Sequence, residues 1–132
     1  MKKLFNVLIV FFIRHRFVTH FTSAQWGDSV LIMEISGKAF GRMYYYYDDR
    51  TTVYLDWLSV DENARMKGIG TKLQEMREEI GRRLGAKTSL LWVYKNTWMH
   101  DWYQRRGYEF YADYSGEENA IWMIKKLQND SN

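Results

Sequence analysis

The sequence predicts an α/β domain: one mixed, mostly antiparallel sheet with helices packed on it. Three observations carry that reading. Apolar, β-rich runs separated by short turns fill the first half of the chain. After Gly68 the apolar spacing changes from two to the three-and-four rhythm of a helix. An apolar run then returns at residues 89–94, and strand, helix, strand in that order read as a right-handed crossover joining two parallel strands. A length of 132 residues is one domain, 1–132, with no room for a second core.

The first element is residues 4–13, where Val7, Ile9, Val10, Phe11, Phe12 and Ile13 suit a buried strand. Met1, Lys2 and Lys3 ahead of it, with Thr22-Ser23-Ala24 behind, give a competing signal-peptide reading. Ten apolar residues are too few to span a bilayer as a helix, and Arg14, His15 and Arg16 stand where small neutral residues would be wanted. The strand is favoured; both readings stand. Residues 14–28 are mixed and end on the turn signal Gly27-Asp28.

Residues 30–36 and 39–47 flank Gly37-Lys38 and read as a hairpin. Asp48-Asp49-Arg50 makes the next turn, and residues 51–60 are a further strand. From Gly68 the residues Ile69, Leu73, Met76, Ile80 and Leu84 line one face of a helix, with Glu75, Glu78, Glu79, Arg82 and Arg83 on the others. Gly85 closes it as a C-cap. A short helix over 98–106 stops at Gly107, strands over 108–114 and 120–126 come next, and 128–132 is a polar tail.

Composition removes several chemistries. There is no cysteine, so no disulfide framework and no thiolate nucleophile, and only three histidines (His15, His20, His100), which disfavours a metal centre. The net charge of +3 resides in Lys2, Lys3, Arg14 and Arg16, with no acid among residues 1–20; the rest of the chain is near neutral. That distribution argues against a nucleic-acid binder. Aromatic residues reach 17%, enough to build a small core without staples.

The most informative segment runs from Val60 through Arg65, Met66, Lys67, Gly68, Ile69 and Gly70 to Thr71. A strand ends, and a long amphipathic helix begins at Gly-x-Gly, with Lys72 following. Unpaired amide N–H groups and the positive end of the helix dipole make an anion site there, supplemented by Arg65 and Lys67. No G-x-x-x-x-G-K-[ST] string exists, and the third glycine of a dinucleotide fingerprint is replaced by Leu73. ATP and NAD are disfavoured. Two glycines that merely permit a tight turn remain the plainer alternative.

Arg65-x-x-Gly68-x-Gly70 after a strand ending Leu58-Ser59-Val60 resembles the acetyl-CoA pyrophosphate loop of the GNAT superfamily of N-acyltransferases. Asn96, then Trp102-Tyr103, then Gly107-Tyr108 is similar to that family's later motif, and residues 122–127 (WMIKKL) to its last strand. The resemblance covers about residues 30–127.

It implies the GNAT-like acyl-CoA N-acyltransferase fold, with helices on both faces of the sheet, and acetyl-CoA as co-substrate without a metal. The family's fourth strand, here Thr52–Val60, and fifth, here 89–94, splay apart around acetyl-CoA. Backbone of Leu58, Ser59 and Val60 would bind the pantetheine arm and polarise the thioester; N–H groups of Met66, Lys67, Gly68, Ile69, Gly70 and Thr71 would hold the pyrophosphate, helped by the Arg65 and Lys67 side chains. Asn96 would orient the pantetheine amide or a water. Tyr103 matches the phenolic acid that protonates the leaving thiolate, with a core aromatic as the alternative.

For the base, Tyr54 and Asp56 share one strand face by the period-two rule. An apolar setting would raise the Asp56 pKa toward a useful value; a solvated or salt-bridged carboxylate is the rival. His100 and Asp101 read as surface residues. Two of Tyr44, Tyr45, Tyr46 and Tyr47 would be core, leaving two to line an acceptor groove.

Two departures from the family stand out. A proline common after the fourth strand is absent, Asp61 and Glu62 standing there, and only about sixteen residues separate Ile13 from Val30. One short helix fits at most, so the acceptor side is open or completed by a second copy in a homodimer. The expected function is therefore a cytoplasmic N-acetyltransferase acting on a protein or small-molecule amine, without nucleic-acid or membrane partners. The alternative is a catalytically silent CoA-binding or protein-interaction module.

Overall fold

Alternation is cleanest in the strand Ala39–Tyr46, where Ala39, Gly41, Met43 and Tyr45 are buried and the residues between them half-exposed. Its neighbours repeat that rhythm, and in the computed structural model the result is an eight-stranded sheet. The structure describes residues 7–11, 16–65 and 68–128. In chain order the elements are β1 (Val7–Phe11), β2 (Arg16–Ser23), β3 (Gly27–Glu34), β4 (Ala39–Tyr46), β5 (Thr52–Val60), α1 (Ile69–Leu84), β6 (Thr88–Tyr94), α2 (Trp98–Arg105), β7 (Glu109–Asp113) and β8 (Ala120–Lys126). The spatial order is β1-β2-β3-β4-β5-β6-β8-β7. Every pairing is antiparallel except β5 with β6, the crossover strands.

The first half differs from expectation at two places: Gly27-Asp28, read as a turn, opens β3, and the stretch before it is itself a strand. The mixed stretch 14–28 leaves room for a short helix by composition, yet Arg16–Ser23 is a strand paired with both β1 and β3. Phe17 and Thr19 face the core and Val18 is half-exposed, so the inward row carries a hydroxyl and the outward row a valine. That mixture hides the period of two. The backbone of residues 7–11 is a strand, as favoured; the remainder of the 4–13 run, His15, and most of the polar tail lie outside the described residues.

Both described helices lie on one face. α1 covers Met43, Val53 and Leu55 with Leu73, Met76 and Ile80, all buried. α2 sits beside it, since the Tyr103 hydroxyl accepts from Arg77 of α1 at 2.8 Å and Trp102 lies against Gly70. The fold is the mixed, mostly antiparallel sheet expected; its helices are placed differently from the two-sided arrangement, because β2 occupies the stretch that would cover the second face. The buried side of α1 is also wider than the apolar stripe. Glu78, expected on an outer face, is 6% exposed, and Gln74 and Arg77 are buried with it.

Two irregularities in β5 shape the ground on which a ligand could sit. Arg42 pairs with Trp57 and Met43 with Leu55, so Asp56 is an extra residue, a β-bulge. The bulge turns Asp56 and Trp57 outward together and brings Leu58 back over Gly41 on the helix side. Pairing of β5 with β6 is confined to Thr52–Thr88, Val53–Ser89 and Tyr54–Leu90. Beyond Tyr54 and Leu90 the two strands run on unpaired with each other, to Val60 and Tyr94.

Candidate active site

The divergence of β5 and β6 leaves two strand edges whose peptide groups have lost their ladder partners, and Leu58, Ser59 and Val60 lie on one of them. Their other edge stays paired to Gly41, Phe40 and Ala39, so this segment is held straight. Nε of Arg65 donates to the Val60 carbonyl at 3.0 Å and ties the loop back to the strand end.

Gly68 precedes α1 with φ +81°, ψ 5°, the left-handed region that favours glycine. No side chain caps the helix, and no acidic residue sits in its first turn. The leading N–H groups therefore meet no competing carboxylate. At Gly70 a Cβ would lie 3.6 Å from Val60 and 3.8 Å from Trp102, ordinary contact distances. Of the two glycines, Gly68 is the one that backbone geometry requires. Met66 and Lys67 lie outside the described residues.

A cation that sequence reading missed stands at this helix start. Nη2 of Arg106 donates to Thr71 Oγ1 at 3.1 Å, Nη1 donates to the Trp102 carbonyl at 3.0 Å, and the guanidinium lies 3.8 Å from the Trp102 ring centroid. Burial holds its pKa below the usual arginine value. Spacing puts Arg106 one turn after Trp102, but that it faces Thr71 follows only from the fold.

α2 is set by a short turn after β6. Asn96 is in the left-handed region at φ +62°, its N–H donates to Nδ1 of His100 at 2.9 Å, and the Thr97 hydroxyl caps the helix by accepting from the His100 N–H. His100 thus stabilises a turn. The Tyr103 side chain points the other way, 4% exposed, between Trp102 and Tyr108. The guanidinium that donates to it also donates, through Nη1, to the carbonyls of Trp57 at 3.0 Å and Arg42 at 3.1 Å. The phenol is thereby held next to β5 just past the bulge.

The remaining candidates lie elsewhere. Tyr54 and Asp56 do share a face, but it is the one away from α1 and α2. The Tyr54 hydroxyl donates to Asp49 at 2.9 Å, and burial together with Asp49 pushes its pKa up to about 12. Its proton is committed. Asp56 takes a two-pronged contact from Arg42, Nε to Oδ1 at 3.1 Å and Nη2 to Oδ2 at 2.8 Å, with both side chains about one-third exposed. This is the solvated, salt-bridged setting rather than the apolar one. The sheet separates this pair from the Tyr103 hydroxyl. Of the tyrosine run, Tyr45 and Tyr47 pack on the core side while Tyr44 and Tyr46 face outward, as the alternation requires.

Among the described residues no group of three or more His, Cys, Asp or Glu side chains could hold a metal ion, and no helix is long and apolar enough to cross a membrane.

Splayed parallel strands, a glycine-led helix start and a buried phenol at the end of a short helix define an acyl-transfer fold. Residues 3–108 match the acetyltransferase (GNAT) family, and the chain belongs to that family. Over 83 residues it is 35% identical to S-(2-succino)cysteine N-acetyltransferase of Bacillus subtilis (strain 168), a match covering 56% of this chain and 48% of that protein. The chain thus matches about half the length of this curated relative. Nourseothricin acetyltransferase superposes with a TM-score of 0.64 at 17% identity, covering 93% of this chain and 84% of its own. PaiA N-acetyltransferase of Thermoplasma acidophilum, in complex with coenzyme A, gives 0.62 at 18% identity over 74% of this chain and 59% of its own. The two structural likenesses are likenesses of fold.

Proposed function

We propose that the protein transfers the acetyl group of acetyl-CoA to a primary amine by direct attack. The observation that carries this reading is the Tyr103 hydroxyl, fixed beside the diverged part of β5, where backbone is free to meet an extended ligand. Acetyl-CoA fits the residues present: an uncapped helix start for its phosphates and unpaired strand edges for its amide-bearing arm. When bound it supplies an activated acyl group and a thiolate leaving group.

The chain's own residues would do the rest. Gly68, Ile69, Gly70 and Thr71 offer N–H groups to the pyrophosphate, with Arg65 and Arg106 beside them. Backbone of Leu58, Ser59 and Val60 holds the arm, and an N–H there stabilises the negative charge that develops on the acyl oxygen. Asn96 closes the far end near β6. Tyr103 delivers the proton that the departing sulfur needs. Tyr54, bound to Asp49, serves as scaffold. Asp56, paired to Arg42 across the sheet from Tyr103, is not placed to take a proton there, so the incoming ammonium loses its proton to solvent. The open face admits a protein lysine or N-terminus, a polyamine, or an amino acid of the kind the Bacillus relative's name specifies. A second copy would complete it as a homodimer, and a cytoplasmic setting suits a reaction drawing on acetyl-CoA.

One observation favours the rival, a silent CoA-binding module: Asp56 is engaged by Arg42 and Tyr54 by Asp49, leaving neither as a ready base. Thiol release from acetyl-CoA over a panel of these amines decides between them. Turnover with one amine supports transfer; binding without turnover supports the module. Tyr103→Phe should lower kcat by about 10²-fold with the Kd for acetyl-CoA held, and unchanged release removes the acid assignment. Gly68→Asp should weaken CoA binding by about tenfold or more, through backbone strain and a like charge at the anion site.

A further inference from the structure

Arg77 has no role in the mechanism above, yet it is 0% exposed and the largest fully buried side chain described. A buried guanidinium is costly to retain unless its donors are used. Here it makes no ion pair among the described residues; its partners are the Arg42 and Trp57 carbonyls on Nη1, and Gln74 Oε1 at 2.6 Å and the Tyr103 hydroxyl at 2.8 Å on Nη2. Nε is buried without a partner. Two carbonyls at a bulge could be capped by a neutral amide. What a guanidinium adds is that it can only donate.

That restriction decides which way the phenol faces. Because Arg77 donates, the Tyr103 oxygen must accept, and its own O–H must go elsewhere; no described residue accepts it. The neighbouring Tyr108, 5.3 Å away ring to ring, is the contrast. Its hydroxyl accepts from Gln74 at 2.9 Å, lies 2.7 Å from the Ser89 hydroxyl and donates to Glu78 at 3.1 Å. Two buried tyrosines share one polar network. One has spent its proton inside the protein; the other has been forbidden to.

We propose that Arg77 is a positioning residue for acyl transfer: it holds Tyr103 as a donor directed out of the network, and, through the Trp57 carbonyl, locks that phenol to the β5 segment that binds the acyl group. The positive charge lies where the phenol oxygen becomes negative once the proton has left, so the contact strengthens as the reaction proceeds. Gly41 makes room for it; a Cβ there would lie 3.3 Å from both Cδ and Nε of Arg77. This inference rests on the reading of Tyr103 as the acid.

The test compares Arg77→Lys, which keeps a donor-only cation, with Arg77→Gln, whose amide oxygen can accept the Tyr103 proton. By thiol release, Arg77→Gln should lower kcat about thirtyfold with the KM for acetyl-CoA within about threefold, while Arg77→Lys recovers most of the rate. In a Tyr103→Phe background the same Arg77→Gln change should cost less than about twofold, because the group it positions is gone. In the ligand-free protein, the tyrosine 13Cζ resonance that disappears in Tyr103→Phe should shift in Arg77→Gln and stay in place in Arg77→Lys. Should the Arg77 variants fail to fold, Gly41→Ala displaces the guanidinium while keeping its charge, and should lower kcat only when Tyr103 is present. Equal losses with Tyr103 intact and in the Tyr103→Phe background, or an unmoved 13Cζ resonance, would overturn the role of Arg77. Unchanged turnover in Tyr103→Phe alone is a different signature, and removes the acid itself.

Discussion

On one side of the sheet Met43, Val53 and Met123 have no exposure at all beneath α1 and α2, nor does Leu73 of α1. On the other side Trp57 is half exposed, and Phe40, Tyr44, Tyr46, Tyr54, Trp92 and Trp122 lie in partial contact with solvent. Both faces are rich in apolar surface, but they are organised by different forces. The covered face is packed by aliphatic side chains around a polar network that reaches from Tyr103 to Lys125. The open face is held by ring-on-ring contacts, Trp26 on Tyr46 at 5.4 Å and Trp92 on Tyr114 at 4.6 Å, with Arg42 lying over the Tyr44 and Trp57 rings. The lesson is a division of labour: stability and the proposed acid on one face, accessible aromatic surface on the other.

The contrast is easiest to break with matched truncations. Leu73→Ala should cost about 2–5 kcal/mol, the removal of a fully buried side chain, whereas Trp57→Ala should cost under about 1 kcal/mol despite losing more atoms. Urea unfolding measures both, and equal losses would mean that the open face is covered in solution. Tyr108→Phe should cost about 1–3 kcal/mol by stranding Gln74, Ser89 and Glu78, against less than about 0.5 kcal/mol for Tyr44→Phe.

A pH titration sharpens the comparison further. The pKa of Tyr54 is raised from 10.0 to about 12, by burial first and the Asp49 hydrogen bond second, so the folded state holds that proton more tightly than the unfolded chain. Its contribution is fully present below pH 10 and lost as pH rises toward about 12; unfolding midpoints should fall over that window, and Tyr54→Phe should flatten the decline. The smallest effect belongs to the Arg42–Asp56 pair. Being one-third exposed, it should contribute under about 1 kcal/mol, and Asp56→Asn should lose less in high salt than in low salt.

How much of this is legible in the sequence depends on what sets each feature. β4, α1 and the crossover can be read because their apolar residues keep to one period at a time. β2 cannot, because Thr19 faces in and Val18 is half-exposed, and the Asp56 bulge cannot, because no residue type marks an inserted position in Thr52–Val60. The glycine-led start of α1 is readable from Gly68 and the apolar rhythm that follows it. Tyr103 is picked out by the family resemblance, but the two arginines that act on its surroundings are not: Arg77 lies among residues that periodicity assigns to the flank of a helix, and Arg106 becomes relevant only when α2 is folded against Thr71. Polar side chains inside a core obey partners distant in sequence, and period analysis sees only neighbours.

The aromatic excess also gives the molecule its own optical reporters. Of the six tryptophans, Trp26, Trp57, Trp92 and Trp122 belong to the open face, while Trp98 and Trp102 are on α2. Trp102 lies under the Arg106 guanidinium at the start of α1, so its fluorescence should respond when a phosphate draws that cation away. Trp57 and Trp92 instead flank the surface on which an acceptor would settle. Two emission channels, separable by single Trp→Phe changes, would let events at the helix start and on the open face be followed separately without attaching a dye.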